Sequence, residues 1–151
     1  MGYLRAAKIG AAKLSPVLIQ YPLYAGIMAL ITQSGWAANL SEYFVSMSSP
    51  GTYTFFSFLS AGLVNFFVPS GGGQWAVQAP VVLQGAQALD VPFWKVILAV
   101  SWGDAWTNLA QPFWALPLLA IAGMGLRDII GYCLIFLMVS GFVIGGFFLV
   151  I

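Results

Sequence analysis

The 151-residue chain is 61% hydrophobic and 6% charged, with a mean hydropathy of +0.94. A globular domain carries about 25% charged residues, so this chain cannot cover a water-facing surface and its solvent is mainly lipid. Five basic and four acidic side chains leave a net charge of +1, and there is no histidine and a single cysteine; a nucleic-acid partner, a disulfide framework and a Cys/His metal site are all excluded.

The first 14 residues carry Arg5, Lys8 and Lys13 and read as a cytoplasmic interfacial segment, with Tyr3, Leu4 and Ile9 toward lipid. The apolar run that follows, 16–38, has 23 residues. That is longer than a signal-peptide core of about 7–15 residues. At 1.5 Å per residue it reaches about 34 Å, enough for a hydrocarbon core of about 30 Å, and it is expected to be a retained span. Residues 39–50 are Ser-rich, contain Glu42 and are expected to form a surface connection.

Two apolar stretches, 52–68 and 74–89, flank the break Pro69-Ser70-Gly71-Gly72-Gly73. Each is shorter than the roughly 20 residues a helix needs to cross. If both crossed, the break would be a cytoplasmic loop, and such loops usually attract Lys or Arg; none occurs between Lys13 and Lys95. The favoured reading is a re-entrant hairpin over 52–89 with its tip at 69–73. The alternative is two short full spans joined by a tight turn. A buried tip would have a chemical use. The glycines allow close approach of a ligand, and the helix starting near Gln74 offers unpaired N–H groups and a positive dipole end to an anion.

Residues 93–124 form a long apolar stretch interrupted by Asp104, Pro112 and Pro117. On a helix, Ser101, Thr107, Asn108 and Gln111 all lie within about 60° of Asp104. Pro112 and Pro117 are expected to free the carbonyls of Asn108 and Phe113. A polar stripe beside freed carbonyls suits a cation or substrate site in a broken helix. An acid within an apolar run is a functional candidate; the competing reading is a structural carboxylate. Residues 125–128 form a charged turn, and 129–151 a second clean span with Gly141 and Gly145 at helix-packing spacing. Cys133, inside it, reads as a packing residue. Basic residues set the orientation: N-terminus and Arg127 in the cytoplasm, 39–50, 90–92 and the C-terminus outside. Enzyme chemistry lacks its parts. A carboxylate dyad needs two acids sharing a proton, but Asp90 and Asp128 lie in connections, and no base stands ready for a nucleophile.

The segments "QYPLYAGIM" (20–28), "NFFVPSGGGQWAVQAP" (65–80) and "WGDAWTNLAQPFWALPLLAIAG" (102–123) resemble the short-chain fatty acid transporter family, of the acetoacetate and butyrate uptake type, within the wider ion transporter superfamily. The resemblance implies an all-α integral membrane fold built of two inverted repeats, each with a re-entrant hairpin and a broken helix, and a homodimer in the bacterial inner membrane. This chain has room for one repeat and is similar to the C-terminal one, so the N-terminal repeat would be a missing partner and the chain a fragment. By the resemblance, Ser70, Gly71, Gly72, Gly73 and Gln74 form half of a carboxylate site, with Asp104, Thr107 and Asn108 facing them. Trp75 and Trp106 would wall a pocket for a short acyl tail. Ser101, Asp104, Asn108 and Gln111 would serve a coupling H⁺ or Na⁺; no cofactor is implied. The wider group also contains exporters sharing a Pro-Ser-x-x-x-x-Trp and a Gly-Asp-x-x-Thr-Asn stretch. An exporter or antiporter, a passive channel and a non-transporting structural subunit therefore stand as alternatives to cation-coupled uptake.

Overall fold

The computed structural model describes residues 2–111 and 115–151, and within them the fold is all-helical. Among the described residues seven helices follow one another: α1 Gly2–Gln33, α2 Trp36–Ser46, α3 Tyr53–Asn65, α4 Gly71–Ala88, α5 Phe93–Thr107, α6 Leu116–Ala122 and α7 Leu126–Val150. Among the described residues, α7 alone is long and apolar enough to cross a membrane as a single helix.

Several helix boundaries differ from those predicted, each for a local reason. The sequence predicts a break between 1–14 and 16–38; instead α1 is one 32-residue helix. Proline at position 16 deprives the Ala12 carbonyl of its usual donor, and Ser15 Oγ donates to that carbonyl at 2.8 Å. The helix then ends earlier than position 38. Gly35 takes φ 73° and starts a new direction, a conformation that suits glycine. Residues 39–50, predicted to be a surface connection, supply most of α2. Three of their serines turn their hydroxyl hydrogens back to the backbone. Ser41, Ser46 and Ser48 donate to the carbonyls of Ala37, Tyr43 and Phe44, which lets the helix pack its Ala37–Leu40 face against Val64 and Val68.

The α3–α4 pair forms a helical hairpin whose non-helical tip spans 66–70. Its second arm starts at Gly71, inside the predicted 69–73 break. Tyr53 at the base of α3 donates to the Val82 carbonyl of α4 at 2.6 Å. Tyr53, Ala61 and Val82 share a core with Val96 and Val100 of α5.

Helices α3 and α5 run side by side in the same direction. Phe58 and Ala61 face Gly103, Gly62 faces Thr107, and Asn65 faces Asn108. The approach is close because Gly103 has no side chain; a Cβ there would overlap the Phe58 carbonyl oxygen and lie 2.8 Å from Ala61 Cβ. Helix α7 is antiparallel to α5. Trp102 stacks on Phe147 with ring centroids 5.7 Å apart. Trp106 covers Gly141 and donates its Nε1–H to the Leu137 carbonyl at 2.8 Å. Leu137 lies halfway along the 25-residue α7, so the ends of α3 and α5 come level with its middle.

Beyond Thr107 the chain tightens. Leu109, Ala110 and Gln111 donate to the carbonyls three residues back, Trp106, Thr107 and Asn108, a geometry that ends an α-helix. The predicted Pro112 break and the Phe113 carbonyl lie outside the described residues. Pro117 sits in the first turn of α6, where a missing N–H costs nothing. Gly123 at φ 70° closes α6, with Met124 N–H bonded to the Leu119 carbonyl at 3.0 Å. The predicted charged turn 125–128 is instead the start of α7, which begins at Leu126 rather than at 129, because Asp128 accepts from Gly125 N–H at 2.7 Å and caps the helix.

Candidate functional site

The start of α4 is built from Ser70 upward. Its backbone is extended (φ −149°, ψ 101°), its Oγ accepts from Gly73 N–H at 3.4 Å, and its carbonyl accepts from Gln74 N–H at 2.7 Å. Ser70 N–H itself turns back to the Val68 carbonyl at 2.7 Å. Of the four N–H groups that a helix start leaves open, those of Gly71 and Gly72 remain. They lie at the positive end of an 18-residue helix.

Opposite them stands Asp104. Its Oδ2 is 3.5 Å from where a Cβ on Gly71 would be. Between the two elements is a cleft of about 400 Å³. Gly71, Gly72, Gln74 and Trp75 line it from α4; Ile97, Val100, Ser101 and Asp104 line it from α5. No Lys or Arg takes part. Gln74 is 1% exposed, donates to the Ala61 carbonyl (2.8 Å) and to Gln78 Oε1 (2.7 Å), and keeps Oε1 without a protein partner. Gln78 in turn donates to Ser41 Oγ (2.8 Å) and Ser60 Oγ (3.2 Å). A buried polar ladder thus runs from the cleft through α4 to α2 and α3.

The residues singled out in the sequence are only partly brought together. Gly71, Gly72, Gln74, Trp75, Ser101 and Asp104 share the cleft. Thr107 and Asn108 do not line it; they turn to Asn65, whose Nδ2 contacts the Asp104 carbonyl (2.8 Å), Thr107 Oγ1 (3.1 Å) and Asn108 Oδ1 (2.8 Å). Gln111 is farther off, donating to Tyr24 Oη of α1 at 2.9 Å. Ser70 belongs to a second cleft, with Pro69, Tyr21, Tyr24 and Met28. Gly73 is closed off by its bond to Ser70. Trp106 does not face Trp75: it lines an apolar groove with Phe55, Leu59 and Gly141 on the α7 side. The polar stripe divides because Asn65 of α3 engages Thr107 and Asn108, and because the α-helix ends at Thr107, so the 100° periodicity no longer places Gln111. Asn65, which ties α3 to the end of α5, was missed by sequence reasoning. Its signal was an amide in an apolar run, four residues before the Pro-Ser-Gly break.

The family described as short chain fatty acid transporter matches residues 1–151. The chain belongs to the short-chain fatty acid transporter family. It is 46% identical over 147 residues to a protein of Escherichia coli (strain K12) named as a proposed short-chain fatty acid transporter, covering 96% of this chain and 33% of that protein. It is 40% identical over 151 residues to a protein of the same name from Haemophilus influenzae (strain ATCC 51907 / DSM 11121 / KW20 / Rd), covering 99% of this chain and 34% of that protein. The chain therefore spans about a third of the length of these relatives. No solved structure matches it. This is a family of membrane transporters rather than enzymes, and in the α4–α5 cleft of this family member the start of α4 at Gly71 and Gly72 stands opposite the Asp104 carboxylate.

Proposed function

We propose that this chain is one repeat of a secondary active transporter that takes up short-chain monocarboxylates with a coupling cation. The observation that carries the reading is the pairing, in one cleft, of the open Gly71 and Gly72 N–H groups with Asp104. A substrate carboxylate held by the two amides would lie beside a second carboxylate. Two close carboxylates cannot both stay charged without a shared proton or a cation between them. Uptake of the acid anion with H⁺ or Na⁺ follows from that constraint. Coupling also offsets the cost of moving an anion inward against the membrane potential, about 2.3 kcal/mol per charge per 100 mV. Gln74 Oε1, buried and unpartnered, is a further oxygen for the cation.

In this reading the α3–α4 hairpin is re-entrant, its tip at mid-depth beside the α5–α6 break. Irregular backbone at that depth is tolerated where it lines a cavity. The level of Trp106 halfway along α7 supports the placement. The N-terminus is cytoplasmic, the protein lies in the bacterial inner membrane, and the remaining two thirds of the relatives' length supply the other repeat of a homodimeric carrier.

The test is uptake of labelled acetate, butyrate and acetoacetate into vesicles carrying the chain within its natural flanking sequence, with and without imposed H⁺ and Na⁺ gradients. Gradient-stimulated accumulation is expected. Equal uptake without any gradient would point to a channel, and accumulation only against preloaded internal substrate to an exchanger.

A further inference from the structure

The α4–α5 cleft is polar at one end and apolar at the other. Resting on the carboxylate reading above, we propose that the acyl tail runs along α5 from Asp104 toward Ile97, and that Ile97 sets the length of chain accepted. On α5, Ile97, Val100, Ser101 and Asp104 recur at helical spacing and line the same cleft. Asp104 and Ile97 are seven residues apart, about 10 Å along the axis. Helix α4 runs the opposite way, so Gly71 and Gly72 lie at the Asp104 end and Trp75 farther along, toward Val100. The head of an acid therefore has one place that suits it and its tail another.

Ser101 stands between the two ends, and its hydroxyl hydrogen is already given to the Ile97 carbonyl at 2.8 Å. It offers the head no donor to rival the two glycine amides. Val100 is 3% exposed and packs into the core with Trp75 beside it, so it forms a fixed floor. Ile97 keeps 44% of its surface exposed. It is the one large side chain at the apolar end that can change size without opening a cavity in the core.

Each methylene buried is worth about 0.8 kcal/mol, a factor of about four in preference. Ile97→Ala is expected to raise the hexanoate-to-butyrate uptake ratio at least about fourfold, and Ile97→Trp to shift preference toward acetate by a similar factor. Ratios within one preparation cancel differences in expression. A control substitution, Met28→Trp, fills the second cleft beside Ser70 and is expected to leave the ratios unchanged. The experiment measures competition of straight-chain acids from acetate to hexanoate against labelled butyrate uptake by the protein with its natural flanking sequence. Uptake with the same chain-length profile in both Ile97 variants overturns the inference alone, as does a profile moved by Met28→Trp. Absence of uptake of every acid by the unaltered protein removes the carboxylate reading and the inference together.

Discussion

Gly103→Ala is the sharpest probe of the contact that sets the cleft. The added methyl would overlap the Phe58 carbonyl oxygen, reach within 2.8 Å of Ala61 Cβ and stand 3.0 Å from Gly62 N. Two of those three obstacles are backbone, so neither helix can yield by rotating a side chain. Overpacking of this kind costs about 1–3 kcal/mol, and backbone contact places it near 3; the better helix propensity of alanine returns about 1. A net loss of about 2 kcal/mol follows. Gly62→Ala is the matched comparison. There the methyl meets Thr107 Cγ2 at 3.0 Å and the Trp106 ring at 3.1 Å, which can shift by tenths of an ångström. Its packing cost of about 1 kcal/mol is nearly offset by the propensity gain. Unfolding by SDS titration in mixed micelles, followed by tryptophan fluorescence, measures both. Equal stability of the two variants would refute the parallel α3–α5 contact.

Asp104→Asn keeps the side-chain shape, and the Asp104 group that bonds to Asn65 is its backbone carbonyl. The fold is expected to persist while stimulation of uptake by an ion gradient is lost; vesicle uptake with and without the gradient checks it, and unchanged stimulation would remove Asp104 from coupling. Gln78→Leu removes the donors to Ser41 and Ser60 and the acceptor for Gln74. Each lost bond is worth about 1 kcal/mol, so a loss of about 2–3 kcal/mol is expected in the same SDS titration, and a neutral outcome would show that the ladder does not hold α2 to the hairpin.

Some of this organisation was legible in the sequence for definite reasons. Proline and glycine mark the hairpin tip whatever surrounds it, and a lone acid in an apolar run pointed to Asp104. The facing of segment 70–74 and Asp104 came from the family resemblance; the residues alone marked a helix start and a polar stripe separately. Other features depend on partners that periodicity cannot supply. The serines of α2 count as polar in composition, yet Ser41 and Ser46 donate their hydroxyl hydrogens to carbonyls of the same helix, so a helix with one packed face resembled a surface loop. The break predicted in α1 is bridged by the Ser15 hydroxyl. Trp106 faces α7 because Gly141 leaves room for its ring, a fact that lies 35 positions away in the chain. The separation of Thr107 and Asn108 from the cleft depends on Asn65, an amide on another helix.

The depth of the hairpin tip is the claim on which the transport account rests, and electron–electron distance measurement tests it directly. With Cys133→Ser as background, one spin label at Ser70→Cys is paired in turn with a label at Arg127→Cys and at Val150→Cys, near the two ends of α7. The positions on α7 are separated by about 34 Å along its axis. A tip level with the middle of α7 gives two distances that differ by less than about 10 Å. A tip at an aqueous face gives one short and one long distance, differing by about 20 Å or more, and would contradict the account.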